Sequence, residues 1–175
     1  MKIEQAIELI SGVEGINKPK QQWADLGCGD GLFTLALATL IGKDSLIHAV
    51  DTDQKSLSNI PDSENSVVIQ KHKLDFVLKP LPFTNLDGVL MANSFHFIKD
   101  KAAFIAKIKN HLKASHKLIL IEYDMDTANK WVPYPISFKK LERLFKEFNY
   151  HSIDKLNEIP SIYNRANIYS ALVKT

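Results

Sequence analysis

The sequence predicts an α/β fold: a mostly parallel sheet with helices on both faces. Three observations predict it. Short, continuously apolar segments alternate with segments of helical periodicity from the N-terminus to Phe148. A glycine cluster, GCGDG at residues 27–31, separates the first strand from the helix that follows it. After Phe148 two strand-like segments follow each other with no helix between them, so they pair antiparallel. The implied sheet has seven strands in the order 3-2-1-4-5-7-6, parallel except for the last.

Each element has a local reason. Ile3, Ala6, Ile7, Leu9 and Ile10 recur at helical spacing, and Gly12 ends that helix. Trp23 to Leu26 forms a short strand. Leu32 to Leu40 reads as a helix with Gly42 as its stop. Ser45 to Val50 is the second strand, ending at Asp51. A short helix over Gln54 to Asn59 is broken by Pro61. Ser66 to Gln70 is the third strand, and Lys79 to Asn85, with Pro80 and Pro82, is a loop. Leu86 to Ala92 is the fourth strand, Lys101 to Leu112 a helix and Lys117 to Tyr123 the fifth strand. Asp126 to Pro135 is a loop held extended by Pro133 and Pro135. Ser137 caps a helix running through Phe148. The last strands lie near His151 to Leu156 and Ile168 to Val173.

Composition narrows the function classes. With 175 residues, 45% hydrophobic and 24% charged, the chain buries the core of one domain spanning 1–175. A net charge of +2 leaves no electrostatic footprint for nucleic acid or a membrane surface, and Lys71, His72 and Lys73 read as a solvated turn. Cys28 is the sole cysteine, which excludes an internal disulfide and suits a reducing compartment. The charged opening MKIEQAIELI is no signal peptide, and no apolar run reaches membrane length. A cytoplasmic protein is expected, with its oligomeric state left open.

Strand ends at the carboxyl edge of such a sheet are where ligands bind, and the glycine loop lies there. The dinucleotide fingerprint G-x-G-x-x-G requires a third glycine where this chain has Leu32. The pattern present is D-x-G-x-G-x-G, from Asp25 to Gly31. A phosphate favours a helix N-terminus without competing negative charge, yet Asp30 sits in the loop. Acidic residues at 25 and 30 suit a ligand carrying an ammonium and a sulfonium.

With these residues the sequence resembles the class I S-adenosylmethionine-dependent methyltransferases over nearly the whole chain. The resemblance implies a Rossmann-like three-layer sandwich, S-adenosylmethionine as cofactor and no metal. It assigns Asp25, Gly27, Cys28, Gly29 and Gly31 to the methionyl part, Cys28 through its backbone only. Asp51, in "HAVDTD" with Thr52, matches the residue that takes the ribose hydroxyls, and a carboxylate accepts from both hydroxyls of a diol. The alternative for Asp51 is a cap on the next helix. Asp75 falls where the family places an adenine-contacting acid, with Phe76 beside it, and the alternative is a turn residue. Asn93 follows the fourth strand, in "PLPFTNLDGVLMANSFHF".

The acceptor side carries less signal. Methyl transfer needs in-line positioning in a dry site, and a base only for a poor nucleophile. Asn93-Ser94-Phe95-His96 lacks the prolines of the D/N-P-P-Y/F motif, which argues against exocyclic-amine and amide acceptors. His96, Tyr134 and Tyr163 are the candidate catalytic residues, His96 reading first as part of an apolar wall. Phe95, His96, Trp131, Tyr134 and Tyr163 are expected to wall the acceptor pocket, with Arg165 at its rim. Only about 22 residues precede the first strand, so loops after strands four and five and between the last two strands should cover it. A small-molecule acceptor is expected, and no nucleic acid or membrane partner. The alternatives are an RNA or protein methyltransferase and a non-catalytic cofactor-binding partner protein.

Overall fold

The computed structural model describes residues 1–161 and 166–175. The elements run α1 (Ile3–Ile10), β1 (Gln22–Leu26), α2 (Leu32–Leu40), β2 (Leu46–Asp51), α3 (Gln54–Ser58), β3 (Ser63–Glu64), β4 (Val67–Lys73), β5 (Leu86–Ala92), a 3₁₀ turn (Phe95–Phe97), α4 (Lys101–Lys109), β6 (Leu112–Tyr123), α5 (Phe138–Glu147), β7 (Ser152–Pro160) and β8 (Asn167–Lys174). The sheet order is β3-β4-β2-β1-β5-β6-β8-β7. Without the two-residue β3, which pairs antiparallel with β4, this is the order the sequence predicts. β8 lies between β6 and β7 and runs antiparallel to both.

Alternation along the strands splits the core into two layers. On β6, Leu118 and Leu120 pack with Phe104, Ile108, Leu141 and Phe145 of α4 and α5. Ile119 and Ile121 face the other way, onto Leu9 and Ile10 of α1 and Phe33 and Leu37 of α2. Parallel strands buried on both faces read as unbroken apolar runs for this reason. Trp23 is fully buried in the second layer, its Nε1–H donating to Gln21 Oε1 at 3.1 Å.

Three local expectations are corrected. α4 ends at Lys109, and β6 begins at Leu112, because Leu86 N donates to His111 O and draws the chain into the sheet. Ser137 occupies the N-cap position of α5 but its hydroxyl makes no cap bond. Asp124 Oδ1 accepts from Phe138 N at 2.9 Å and Asp126 Oδ1 from Ser137 N at 3.3 Å, so carboxylates beyond β6 do the capping.

The third correction concerns Lys71, His72 and Lys73, which form the end of β4 and not a turn. His72 Nε2 lies 2.9 Å from Nδ1 of His48 on β2, and His48 Nε2 lies 2.8 Å from Gln22 Nε2. The His48 ring stacks on Phe83 at 3.8 Å. Burial, helped by the His72 charge, lowers the His48 pKa to about 4, and burial lowers that of His72.

Both histidines bind fewer protons folded than unfolded, where the value is about 6.5. Their contribution to stability is therefore complete above pH 6.5 and is lost as pH falls toward 4. The urea midpoint of the wild type should fall over this window. In His48→Phe, which keeps the ring stack, the fall should be shallower. The difference between the two proteins is the readout, because a buried carboxyl with a raised pKa contributes with the opposite sign. Parallel pH profiles would rule the pair out as the cause.

Candidate functional site

The carboxyl ends of β1, β2 and β5 meet where successive connections leave in opposite directions, and a crevice opens there. It is a cavity of about 450 Å³ lined by Gly27, Asp51, Thr52, Asp75, Phe76, Val77, Leu78, Asn93, Ser94 and Phe97. The volume is that of a typical ligand pocket. Among the described residues two carboxylates line it and no cationic side chain does, so it suits a cationic ligand and not a diphosphate.

The glycine loop is tied to the end of β2. Gly27 N and Cys28 N both donate to Val50 O, at 2.8 and 3.1 Å. Gly29 N donates to Asp51 Oδ2 at 2.9 Å, and Asp53 N to Asp51 Oδ1 at 2.9 Å. The cap of α3 is Asp53, whose carboxylate accepts from Lys55 N, so Asp51 is not the helix cap.

The three glycines serve different ends, although all have positive φ. A Cβ on Gly27 would stand 2.5 Å from Ser94 Cβ, and one on Gly31 would stand 2.7 Å from Ile60 Cγ1. Those two are demanded by packing. A Cβ on Gly29 would meet nothing within 4 Å, so it is the middle glycine that keeps space open beside the loop.

Asp25 lies beneath the loop, fully buried. Thr34 Oγ1 donates to its Oδ2 at 2.6 Å, while Oδ1 has no partner. Burial, reinforced by the Asp51 charge and opposed by the Thr34 bond, raises its pKa to about 7. Asn93, left-handed at φ 53°, is the other residue at this edge with an orphaned oxygen, its buried Oδ1. Among the described residues these are the only buried side-chain polar atoms without a partner. Two unpaired acceptors at one strand edge call for a ligand that donates.

The expected cofactor residues thus divide. Gly27, Asp51, Thr52, Asp75, Phe76 and Asn93 line the cavity, whereas Asp25, Cys28, Gly29 and Gly31 do not. Cys28 packs with Ala49, Leu57, Ile60 and Ile69, and burial raises its thiol pKa, so it is no nucleophile. Asp75 is a turn residue and a cavity residue at once. Its Oδ1 accepts from Val77 N and Leu78 N at 2.9 and 3.1 Å.

A second cavity, of about 190 Å³, shares Asn93 with the first and is otherwise lined by Met1, Gln5, Tyr123, Ile159, Pro160, Ser161 and Ile168. None of the described residues expected to wall the acceptor pocket lines this cavity. Phe95 is core, 1% exposed, whereas Trp131 is 74% exposed and Tyr134 39% exposed, and neither lines either of these two cavities. Tyr163 and Arg165 lie outside the described residues. The physical reason is strand alternation: at the end of β6, Glu122 turns to the 3₁₀ turn that carries His96, while Tyr123 turns to the α1 layer where the second cavity opens.

His96 is buried and held at three points. Its Nδ1 lies 2.7 Å from Glu122 Oε2, its backbone N donates to Glu122 Oε1 at 3.1 Å, and its carbonyl accepts from Tyr134 N at 3.0 Å. Its ring touches Phe97, a wall of the first cavity. Sequence reasoning missed Glu122, although a single acid at the end of the apolar run KLILIEY is the signal that would have found it. It also missed Ser94, whose hydroxyl donates to Leu26 O at 2.6 Å and fills the space beside Gly27. Among the described residues no group of three His, Cys, Asp or Glu side chains is placed to hold a metal ion, and no helix is long and apolar enough to cross a membrane.

A family model described as a methyltransferase domain matches residues 24–120. No curated protein matches the sequence. Among solved structures the chain is similar to phosphoethanolamine N-methyltransferase 2 of Haemonchus contortus in complex with phosphomonomethylethanolamine and S-adenosylhomocysteine. That match has 13% identity and a TM-score of 0.76 over 98% of this chain and 52% of the other. The chain therefore spans about half the length of the Haemonchus enzyme. A methyltransferase of Aquifex aeolicus matches at 14% identity and a TM-score of 0.66, over 90% and 84% of the two chains. Magnesium protoporphyrin IX methyltransferase of Synechocystis matches at 15% identity and a TM-score of 0.68, over 99% and 78%. At such identities the structural likeness is one of fold, but the family model spans more than half of the chain. The chain belongs to the methyltransferase-domain family and is a class I S-adenosylmethionine-dependent methyltransferase.

Proposed function

We propose that the larger cavity holds S-adenosylmethionine and that the smaller one holds a small-molecule acceptor, the methyl group passing between them by direct in-line transfer. The observation that carries this reading is the pair of cavities sharing Asn93. When bound, the cofactor supplies a methyl group made electrophilic by its sulfonium. The protein's part is to bind, align and exclude water. Asn93 Oδ1, unpaired in the cavity lining, fits the cofactor's ammonium, and the Asp25 carboxyl beneath the loop, with its own unpaired Oδ1, supplies the balancing negative charge. Asp51 uses one acceptor site on Oδ2 for Gly29 N of the loop and one on Oδ1 for Asp53 N, which leaves lone pairs for the ribose hydroxyls. Phe76, Val77 and Leu78 offer an apolar wall to the adenine.

The acceptor reading rests on size and polarity. Neutral and apolar groups line the smaller cavity among the described residues, and its volume suits a compact group. The carboxylates Asp51 and Asp75 on the neighbouring cavity repel a polyanion, which favours a small molecule over RNA. Glu122 holds His96 on the α4 side, away from the smaller cavity, which favours the wall reading of His96 over general base.

Replacing Asp51 with alanine should weaken S-adenosylhomocysteine binding by roughly 1.5–3 kcal/mol, the scale of a hydrogen bond to a charged group. An analogue without the ribose hydroxyls should lose less. Equal losses, read by calorimetry, would mean that Asp51 acts only by holding Gly29.

Asp25 gives a pH signature. Its raised pKa, about 7, keeps much of it protonated in the free protein near neutrality. A bound ammonium favours the carboxylate, so affinity for S-adenosylhomocysteine should rise between pH 6 and 8, on either side of that pKa, with proton release. Calorimetry in buffers of different ionisation enthalpy measures the release, and Asp25→Asn should abolish it.

The acceptor itself is found by testing a metabolite library for cofactor-dependent methylation. Ile159→Trp, which fills the smaller cavity, should then cut turnover at least tenfold, on the scale of a misplaced reactant, while leaving cofactor affinity unchanged. Methylation of RNA or of a protein but of no small molecule, or turnover indifferent to Ile159→Trp, would overturn the reading.

A further inference from the structure

Lys107, near the end of α4, sends its side chain to the turn after β4. Its Nζ donates to three backbone carbonyls, Phe76 O at 2.9 Å, Val77 O at 3.0 Å and Lys79 O at 2.7 Å. An ammonium has three donors, and all three are used. The turn they hold is a single helical one, with Lys79 N donating to Asp75 O at 2.9 Å. Asp75 Oδ1 takes its free amides at Val77 and Leu78, so Asp75 caps one end and Lys107 the other.

Little else holds this segment. Val77 is 40% and Leu78 80% exposed, and only Phe76 reaches the core, edge-on to Phe104. Yet all three residues line the larger cavity. A turn that buries so little apolar area has a polar tie as its main anchor, and its ordering serves the cavity more than the core.

We propose that Lys107 is a positioning residue for the cofactor: by clamping the carbonyls of residues 76, 77 and 79 it fixes the Phe76–Leu78 wall in place. It touches neither cavity and acts through that wall, and the inference rests on the larger cavity being the cofactor site. Without the clamp the wall must be ordered when the ligand arrives, which weakens binding.

Lys107→Met keeps the aliphatic stem and helix propensity and removes the donors. Its Kd for S-adenosylhomocysteine should rise about tenfold, the scale expected when charge-assisted bonds are lost at a partly exposed site. Amide hydrogen exchange at residues 77–79 should quicken in the free variant and slow again with ligand, while its thermal midpoint stays near that of the wild type. A lysine with a purely structural role would lower the midpoint and leave Kd unchanged, and that result overturns the proposal, as does an unchanged Kd with unchanged exchange. If Lys107→Met does not fold, Lys107→Gln carries the same readings. Asp51→Ala and Phe76→Ala separate the two levels. If both bind ligand like the wild type, the cavity assignment fails. If both weaken binding while the Lys107 variants do not, the clamp fails.

Discussion

The Asp51 carboxylate is the joint on which the site turns. One oxygen takes the amide of Gly29 and the other that of Asp53, so a single side chain fixes both the glycine loop after β1 and the entry to α3 after β2. Val50 O, one residue earlier, receives Gly27 N and Cys28 N. The loop therefore hangs from the neighbouring strand's end as well as from its own helix, where Leu35 N donates to Gly31 O. Parallel pairing in register from Gln22↔Leu46 to Leu26↔Val50 brings the two ends level. A slip of one residue would turn Asp51 to the other face and leave the loop amides unpaired. The sheet register and the geometry of the ligand cavity are one constraint.

Much of the fold was legible because its signals are local and repeated. The order of strands, the antiparallel last strand and the bounds of α2 follow from apolar runs and their punctuation. What failed depended on contacts distant in sequence. Lys71-His72-Lys73 reads as polar, but His72 lies over β2 beside His48 and under Phe83, and no local pattern announces that shelter. Ser137 is an ordinary cap residue by type, yet Asp124 and Asp126, brought from the end of β6, take its place.

The candidate site was half legible for a related reason. A glycine loop and an acid at a strand end are motifs, and Gly27 and Asp51, picked out by them, line the larger cavity, as do Thr52, Asp75, Phe76 and Asn93, which the family resemblance adds. The acceptor wall has no motif. By type, Trp131 and Tyr134 of the loop after β6 suggest a covered pocket, but both are exposed, and single exposed apolar residues are ordinary. Which of Glu122 and Tyr123 faces which layer is decided by strand parity, and parity needs the register with β8, where Glu122 pairs with Tyr169 and Tyr123 with Ile168.

Parity also explains how one strand end serves two purposes. On the α4 side, buried Glu122 anchors His96 through its ring and its backbone, and the Tyr134 segment is tied to the same turn through His96 O and through Lys101, whose Nζ donates to Ile98 O and Tyr134 O. That layer is a scaffold, with its polar groups matched one to another. On the α1 side, Tyr123 lines the smaller cavity with Met1 and Gln5, and Asn157 ties α1 to the sheet through Glu8 O. Between the layers stands Asn93, held left-handed with its backbone N on Ile121 O and its side-chain oxygen unpaired. The matched layer fixes positions, while the Oδ1 atoms of Asn93 and Asp25 are left with acceptor capacity unused. Buried unpaired acceptors in an otherwise satisfied structure therefore mark the place where binding contributes what the free protein lacks.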